Sequence, residues 1–147
     1  MANDKWSYAE INEWDLKCNK PNQSPINIDS QLTQSCKELC ELEILYEPSK
    51  CIVEFIKNQN LKILYDSGSG VIFKKNYYKL IEITFHTPSM HKIDGISADL
   101  EICLVHSLTD SAIENNGLII SCLYNSGKHY GGAETFINQF INDVVVD

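Results

Sequence analysis

The stretch YYKLIEITFHTPSMHKIDGISADLEICLVH, residues 77–106, decides the fold. Over residues 81–86 apolar and polar side chains alternate, and a period of two is typical of a β-strand. The apolar set on one side consists of Ile81, Ile83 and Phe85. The pair Asp94-Gly95 favours a hairpin turn and leads into the run 100–106. We therefore predict two neighbouring antiparallel strands.

Shorter strands flank this pair. Apolar and β-branched runs bounded by Pro, Gly or Asn predict strands at 42–46, 50–56, 61–65 and 71–73. The run 117–124 is almost continuously apolar, which favours a strand that is buried on both faces. Near the C-terminus apolar residues follow helical spacing. They are Phe136, Ile137, Phe140, Ile141 and Val144.

These patterns predict one mainly β domain of the α+β class over residues 1–147. The length of 147 residues suits a single hydrophobic core. Residues 1–30 lack a sustained period and form an N-terminal arm of turns and extended pieces. The sheet spans about 41–124, and an amphipathic helix spans about 134–144.

The charge of the chain restricts its partners. All 12 basic residues are lysines, and the 20 acidic residues give a net charge of −8. Such a surface repels phosphate and sulfate groups. We therefore expect no nucleic-acid partner, and a glycosaminoglycan is disfavoured.

The termini and cysteines bear on location. The N-terminus has no apolar segment typical of a signal peptide, and no run of 18 apolar residues predicts a membrane span. The six cysteines have irregular spacing without a C-x-x-C pair, which favours free thiols in a reducing environment. We expect an intracellular protein, or one within a virion that is assembled inside the cell.

Several blocks of the sequence resemble the alpha-class carbonic anhydrases, in the same order. They are Trp6-Ser7-Tyr8, Trp14, the hexapeptide 23–28 (QSPINI), the segment 85–95 (FHTPSMHKIDG) and the run 100–106 (LEICLVH). The resemblance covers residues 6 to roughly 141. It implies a large, twisted, mostly antiparallel sheet, with a family zinc site of three histidines at its centre. It also implies a truncated domain, because the family's C-terminal part has no counterpart here.

The resemblance assigns the zinc-ligand positions residue by residue. In the family two histidines alternate along one strand as H-x-H, and a third lies on the neighbouring strand. Thr84 and His86 occupy the alternating positions, and Cys103 occupies the third. Glu101 matches the carboxylate that supports the third histidine. A catalytic zinc needs three protein ligands and a threonine hydroxyl is a poor one, so we expect no catalytic residues, no metal and no cofactor.

Two further positions depart from the family pattern. Met90 stands where a glutamate orients the threonine beside the zinc-bound water. Leu61 follows Asn58-Gln59-Asn60, where many members carry the histidine that shuttles protons. Because ligands and the orienting acid are lost together, we expect a catalytically inactive chain.

Other interpretations of the histidines and cysteines remain open. His86 and Cys103 could form a thiolate–imidazole pair or a remodelled metal site, but a core histidine and a small buried thiol are the simpler interpretation. His91 and His106 match family positions outside the ligand set and are expected to be hydrogen-bonded structural residues.

Two functions follow from this sequence. The first is a structural or binding module, a subunit of a larger assembly such as a virion or an organellar complex. It would contact other protein subunits through its sheet edge and C-terminal helix, because an uncovered edge accepts another chain. The alternative is a zinc lyase of the carbonic anhydrase type, whose remodelled metal site is completed by another chain.

Overall fold

The computed structural model describes residues 24–34, 41–55, 61–65, 68–108, 117–127 and 138. Ten strands follow one another along these residues: β1 (Asn27–Ile28), β2 (Leu42–Leu45), β3 (Cys51–Phe55), β4 (Leu61–Tyr65), β5 (Gly70–Phe73), β6 (Asn76–His86), β7 (Lys92–Ile93), β8 (Ile96–Ser97), β9 (Leu100–Leu108) and β10 (Gly117–Tyr124). Within these ranges no helix is long and apolar enough to cross a membrane.

Two predicted parts of the chain lie mostly outside the described residues. Of the C-terminal helix, only Asn138 is described, in helical conformation, so the helix stays a prediction. Of the N-terminal arm, residues 1–23 lie outside, and the described remainder contains β1.

Seven strands form the main sheet, and every pairing in it is antiparallel. Its path runs β10-β9-β6-β4-β3, while β5 pairs with β6 and β2 pairs with β5. A smaller sheet holds β1, β7 and β8, with β1 parallel to β7. The predicted Asp94-Gly95 turn joins β7 to β8, and both of its residues have positive φ, as a tight hairpin turn requires. The mainly β, mostly antiparallel prediction is confirmed.

Strands β6 and β9 lie at the centre of the main sheet and position the candidate site. Thr84 lies opposite Cys103, and His86 lies opposite Glu101. Residues directly opposite each other in an antiparallel pair project from the same face. All four side chains therefore share one face, which we call the ligand face.

The hydrophobic core lies on the other face of the sheet. Ile63, Leu80, Ile83 and Ile102 are each at most 5% exposed and pack together there. Burying a side chain of this size stabilises a fold by about 1.5–3 kcal/mol. Because Ile83 and Ile102 are fixed in the core, the residues next to them in β6 and β9 lie on the ligand face.

The alternation predicted for β6 is correct at Ile83 and Phe85 but wrong at Ile81. The register shifts between Leu80 and Glu82, so Ile81 is the extra residue of a β-bulge. Ile81 is consequently 41% exposed, whereas Ile83 is 3% exposed.

The run 117–124 forms a strand, but the prediction that both its faces are buried is wrong. Exposed and half-buried residues alternate along most of β10, and Ile119 is 59% exposed. The physical reason is position, since β10 pairs only with β9 and forms one edge of the sheet among the described strands.

Candidate functional site

The ligand row, which we define as Thr84, His86 and Cys103, lies on the ligand face as the sequence predicts. The Thr84 hydroxyl lies 3.3 Å from Nε2 of His86. The Cys103 thiol donates to Oε1 of Glu101 at 3.3 Å and lies 3.6 Å from the Ser121 hydroxyl. Thr84 thus contacts His86 through a long hydrogen bond, and Cys103 lies opposite Thr84 on the neighbouring strand.

Burial sets the protonation of this row. It raises the pKa of the Cys103 thiol to about 11, and the neighbouring Glu101 carboxylate adds to the shift. At neutral pH the thiol therefore keeps its proton. Burial also lowers the pKa of His86, although the charge of Glu101 opposes the shift, so this imidazole favours its neutral form.

Behind the row lies a group that we call the Glu101 network, which consists of Glu101, His91 and Ser24. Glu101 is fully buried, and its Oε2 accepts the backbone N–H groups of Met90 and His91 at 2.8 and 2.9 Å. Its Oε1 lies 2.6 Å from Nδ1 of His91. The other ring nitrogen, Nε2, lies 3.0 Å from the Ser24 hydroxyl.

Hydrogen bonding keeps Glu101 ionised in spite of its burial. Burial raises the pKa of the carboxyl, but the donors of His91, Ser121 and Cys103 outweigh it and hold the pKa at about 2. A carboxylate that accepts several N–H groups behaves in this way. The Glu101 carboxylate therefore carries a full negative charge at neutral pH.

Ser89 shapes the loop that delivers these donors. Its backbone N–H donates to the carbonyl of Ala98 at 2.8 Å. Its hydroxyl donates to the carbonyl of His91 at 2.6 Å and accepts the backbone N–H of Ala98. These bonds fold the loop after β6 back over β9, so that the amides of Met90 and His91 point at Glu101. In the sequence, the only signal for this role of Ser89 is its place in the block 85–95.

Both remaining histidines of the blocks are hydrogen-bonded, as predicted. His91 belongs to the Glu101 network. His106 is 1% exposed on the core face, where Nδ1 donates to the carbonyl of Leu118 at 3.1 Å and Nε2 lies 3.0 Å from the hydroxyl of Tyr46. Burial lowers the pKa of His106, which favours the neutral ring. In that ring Nδ1 carries the proton, so Nε2 accepts from the Tyr46 hydroxyl.

Most of the chain matches a known family. Residues 2–142 match the family model described as eukaryotic-type carbonic anhydrase. The chain belongs to this family.

Individual carbonic anhydrases and their relatives agree with the match. Alpha carbonic anhydrase 3 of Arabidopsis thaliana is 27% identical over 144 residues, which are 95% of this chain and 48% of that protein. Dioscorin DB3L of Dioscorea polystachya is 32% identical over 134 residues, 86% of this chain and 46% of that protein. The chain spans about half the length of the curated relatives it matches.

A solved structure agrees on the fold. It is a hyperthermostable carbonic anhydrase identified from an active hydrothermal vent chimney, with a TM-score of 0.73 and 24% identity. The match covers 97% of this chain and 63% of that one. The twisted antiparallel sheet is therefore the carbonic anhydrase sheet.

The other residues assigned from the family pattern lie apart from the row. Leu61 packs against the hydrophobic core, and the neighbouring Lys62 is the residue paired with Thr84. Met90 reaches the Glu101 network only through its backbone N–H. Among the described ranges no three His, Cys, Asp or Glu side chains are grouped as a metal site.

Three of the six cysteines lie in the described residues, and all three are free thiols. They are Cys51, Cys103 and Cys122. The prediction of free thiols is confirmed for these three, and the other cysteines lie outside the described residues.

Proposed function

We propose that this chain is a carbonic anhydrase-like module that does not hydrate CO2 and acts as a structural or binding subunit of a larger assembly. The observation that carries the proposal is the donor set of the ligand row. A zinc site of this family needs three strong donors, and the row offers one imidazole, one hydroxyl and one protonated thiol.

The thiol is the decisive donor. A metal ion can displace the proton of a coordinating thiol. Here the resulting thiolate would lie 3.3 Å from the ionised, buried carboxylate of Glu101, and like charges at that distance repel strongly in a medium of low polarity. His86 is the single imidazole of the row, and its neutral ring does not offset that repulsion. The row therefore lacks three strong donors, and the residues do not fit a catalytic zinc.

The binding half of the proposal is supported by apolar side chains on the sheet. Ile44, Ile52 and Ile119 are each between 59% and 64% exposed, and Ile119 lies on the edge strand β10. Uncovered edges and apolar faces are typical of surfaces that contact another chain. We propose protein subunits as partners, through this edge and the C-terminal helix, in an assembly such as a virion or an organellar complex formed inside the cell.

Metal analysis with a CO2 hydration assay tests the catalytic half. The purified chain, supplied with zinc and then desalted, should retain no stoichiometric metal and should hydrate CO2 at the rate of buffer alone. An active alpha carbonic anhydrase treated in the same way is the positive control. One zinc per chain, with hydration that disappears in His86→Ala, would establish the alternative of a remodelled zinc lyase.

Sedimentation at micromolar concentration tests the binding half. We expect association, or binding of a dye that reports apolar surface, because isolated apolar patches of this kind are costly in water. Ile119→Lys, which places a charge on the edge strand, should reduce that association, whereas Ile96→Lys, at an exposed site of the small sheet, should not. A dispersed monomer without dye binding would refute the proposed interface.

A further inference from the structure

The path of the main sheet ends at β10 on one side and at β3 on the other, and among the described strands neither has a second partner. Alternate N–H and C=O groups of an edge strand point away from its sheet and can bond to another strand. The eight residues of β10 include no charge and no proline, and they pair with β9 in continuous register. β10 therefore carries none of the features that block edge pairing. The further edge strand β2, beside β5, has only four residues and includes Glu43.

We propose that the partner of these edges is a second copy of this chain, and that β3 of one copy pairs with β10 of the next. This inference rests on the proposed function as a subunit of an assembly, and it names the partner and the surface. Because each copy uses two different edges, the contact is heterologous and can repeat from copy to copy as one continuous sheet.

The directions of the two edge strands fit this arrangement. Four antiparallel pairings separate β10 from β3 along the path, so the two strands run in the same direction. A copy placed beside another in the same orientation therefore brings β3 next to β10 as a parallel pair. Both copies then turn the same face to the same side, so ligand face continues into ligand face and core face into core face.

One row of paired residues crosses the main sheet from edge to edge and sets the register of the contact. We call it the cross row, and its members in order are Ile52, Leu64, Glu82, Val105 and Ile119. Glu82 precedes Thr84 by two residues, so the row lies on the ligand face. Its two ends are uncovered, because Ile52 is 64% exposed and Ile119 is 59% exposed. In the array, Ile52 of one copy lies opposite Ile119 of the next, and both leave water.

The same register matches apolar residues on the core face. Cys51 lies opposite Leu118 of the next copy, and Val53 lies opposite Ile120. Val53 packs against the hydrophobic core, while Leu118 and Ile120 are half-buried in a single copy. The core therefore continues across the junction between copies.

Charge selects this pairing over the pairing of either edge with itself. Residues 50–65, which hold β3 and β4, contain three lysines and one glutamate, whereas residues 100–124, which hold β9 and β10, contain three acidic residues and no lysine. Pairing β10 with β10 joins two acidic edges, and pairing β3 with β3 joins two basic ones. Pairing β3 with β10 joins opposite charges, and Glu54, the charged residue of β3, lies opposite the neutral Ser121.

Sedimentation velocity of the full chain and of two edge variants tests the pairing. Ile52→Lys places a charge on β3 and leaves β10 intact, and Ile119→Lys does the reverse. Each variant alone should lose every species larger than a monomer, because the contact needs both edges. Their equimolar mixture should form a dimer with one copy of each and nothing larger, since only one intact β3 and one intact β10 can meet.

Controls separate the contact from a loss of folding. Ile96→Lys, at a 73% exposed site of the small sheet, should assemble as the parent does. Circular dichroism checks that each variant keeps the sheet. Recovery of a dimer on mixing also shows that both edge variants are folded.

The salt dependence of the parent chain is a test that needs no variant. Raising the NaCl concentration from about 0.01 M to about 0.1 M shortens the Debye length from about 30 Å to about 10 Å. The array should lose its larger species over this range, because salt screens the attraction between the two edges. Pairing of like edges predicts the opposite trend, and association that strengthens with salt would overturn the proposal.

The remaining outcomes are equally decisive. A dimer of Ile52→Lys alone would show that β10 pairs with itself, and a dimer of Ile119→Lys alone would show that β3 pairs with itself, and either result would overturn the proposal. A parent chain that binds an apolar dye but stays a monomer at low salt would overturn the array and leave the proposed subunit role standing. A monomer without dye binding would refute both.

Discussion

The ligand row and the Glu101 network lie side by side on one face, and they differ in how completely they are bonded. In the row the contacts measure 3.3 to 3.6 Å and involve a hydroxyl and a thiol. In the network, Glu101 receives three N–H donors at 2.6 to 2.9 Å. The Glu101 network is therefore held by short hydrogen bonds, whereas the ligand row makes only long ones.

This difference indicates that the fold depends on the Glu101 network more than on the ligand row. A metal-facing side chain can change without leaving a buried group unpaired, because its neighbours offer hydroxyls and thiols. The Glu101 carboxylate ties the loop after β6 to β9, and its loss would leave several buried donors without an acceptor. The network thus contributes to the stability of the fold independently of metal binding.

The largest expected effect comes from restoring the row. The double variant Thr84→His, Cys103→His should bind one zinc per chain, because Glu101 stands where it can accept the ring N–H of the new histidine at 103. Metal analysis and competition with a chelator measure it. Adding Glu101→Gln to this double variant should weaken its zinc binding about 10- to 100-fold. A folded double variant that binds no zinc would show that the row does not have the geometry of a metal centre.

The next largest effect should come from the network itself. Glu101→Gln replaces an acceptor by an NH2 group that faces N–H donors, so we expect a loss of about 3–5 kcal/mol in the free energy of unfolding. Urea denaturation measures it. The matched control is Glu82→Gln, since Glu82 is partly exposed and makes one ion pair with Lys62 at 3.6 Å. The free energy of unfolding of that variant should fall by less than about 1 kcal/mol. Equal losses in Glu82→Gln and Glu101→Gln would contradict the special role of the Glu101 network.

Acid should weaken the network in a defined range of pH. The pKa of Glu101 is about 2 in the folded chain, against an ordinary value of 4.5. Because the folded pKa is the lower one, this contribution is complete above about pH 4.5 and is lost as the pH falls toward 2, by about 3 kcal/mol in total. Urea denaturation between pH 5 and 3 should show the stability gap between the parent and Glu101→Gln narrowing. A constant gap would assign the effect of the variant to packing.

The smallest effect concerns a bonded histidine on the core face. Tyr46→Phe removes the hydroxyl at Nε2 of His106 and leaves that buried nitrogen without this donor, at a cost of about 1–2 kcal/mol. Tyr65→Phe is the control, because the Tyr65 hydroxyl donates to the carbonyl of Glu47 at an exposed site. In a thermal melt, Tyr46→Phe should have a lower Tm than Tyr65→Phe. The reverse order would mean that Nε2 of His106 does not need the hydrogen bond of the Tyr46 hydroxyl.

Much of the sheet could be predicted from the sequence, because strands with one buried face alternate visibly. Ile83 and Phe85 followed that rule. Ile81 did not, since a bulge depends on the partner strand and leaves no mark on the alternating pattern. The prediction that both faces of 117–124 are buried failed for a similar reason. The position of a strand within a sheet is a tertiary property.

The candidate site divides in the same way. The resemblance placed Thr84, His86 and Cys103 on one face, because a period of two and the register of two adjacent strands determine it. The contact between Ser24 and His91 joins residues 67 positions apart, and the role of Ser89 depends on how a loop closes. Local pattern carries no information about either contact.

The bulge at Ile81 makes this strand unusually tolerant of one change in chain length. In a regular strand, losing one residue moves every following side chain to the opposite face. Here Leu80 already pairs with His106 and Glu82 with Val105, the next residue along β9, so Ile81 is surplus to the ladder. A chain without Ile81 would keep Thr84 and His86 on the ligand face and Leu80 in the core. A homologue could therefore gain or lose this residue without rebuilding either side of the sheet.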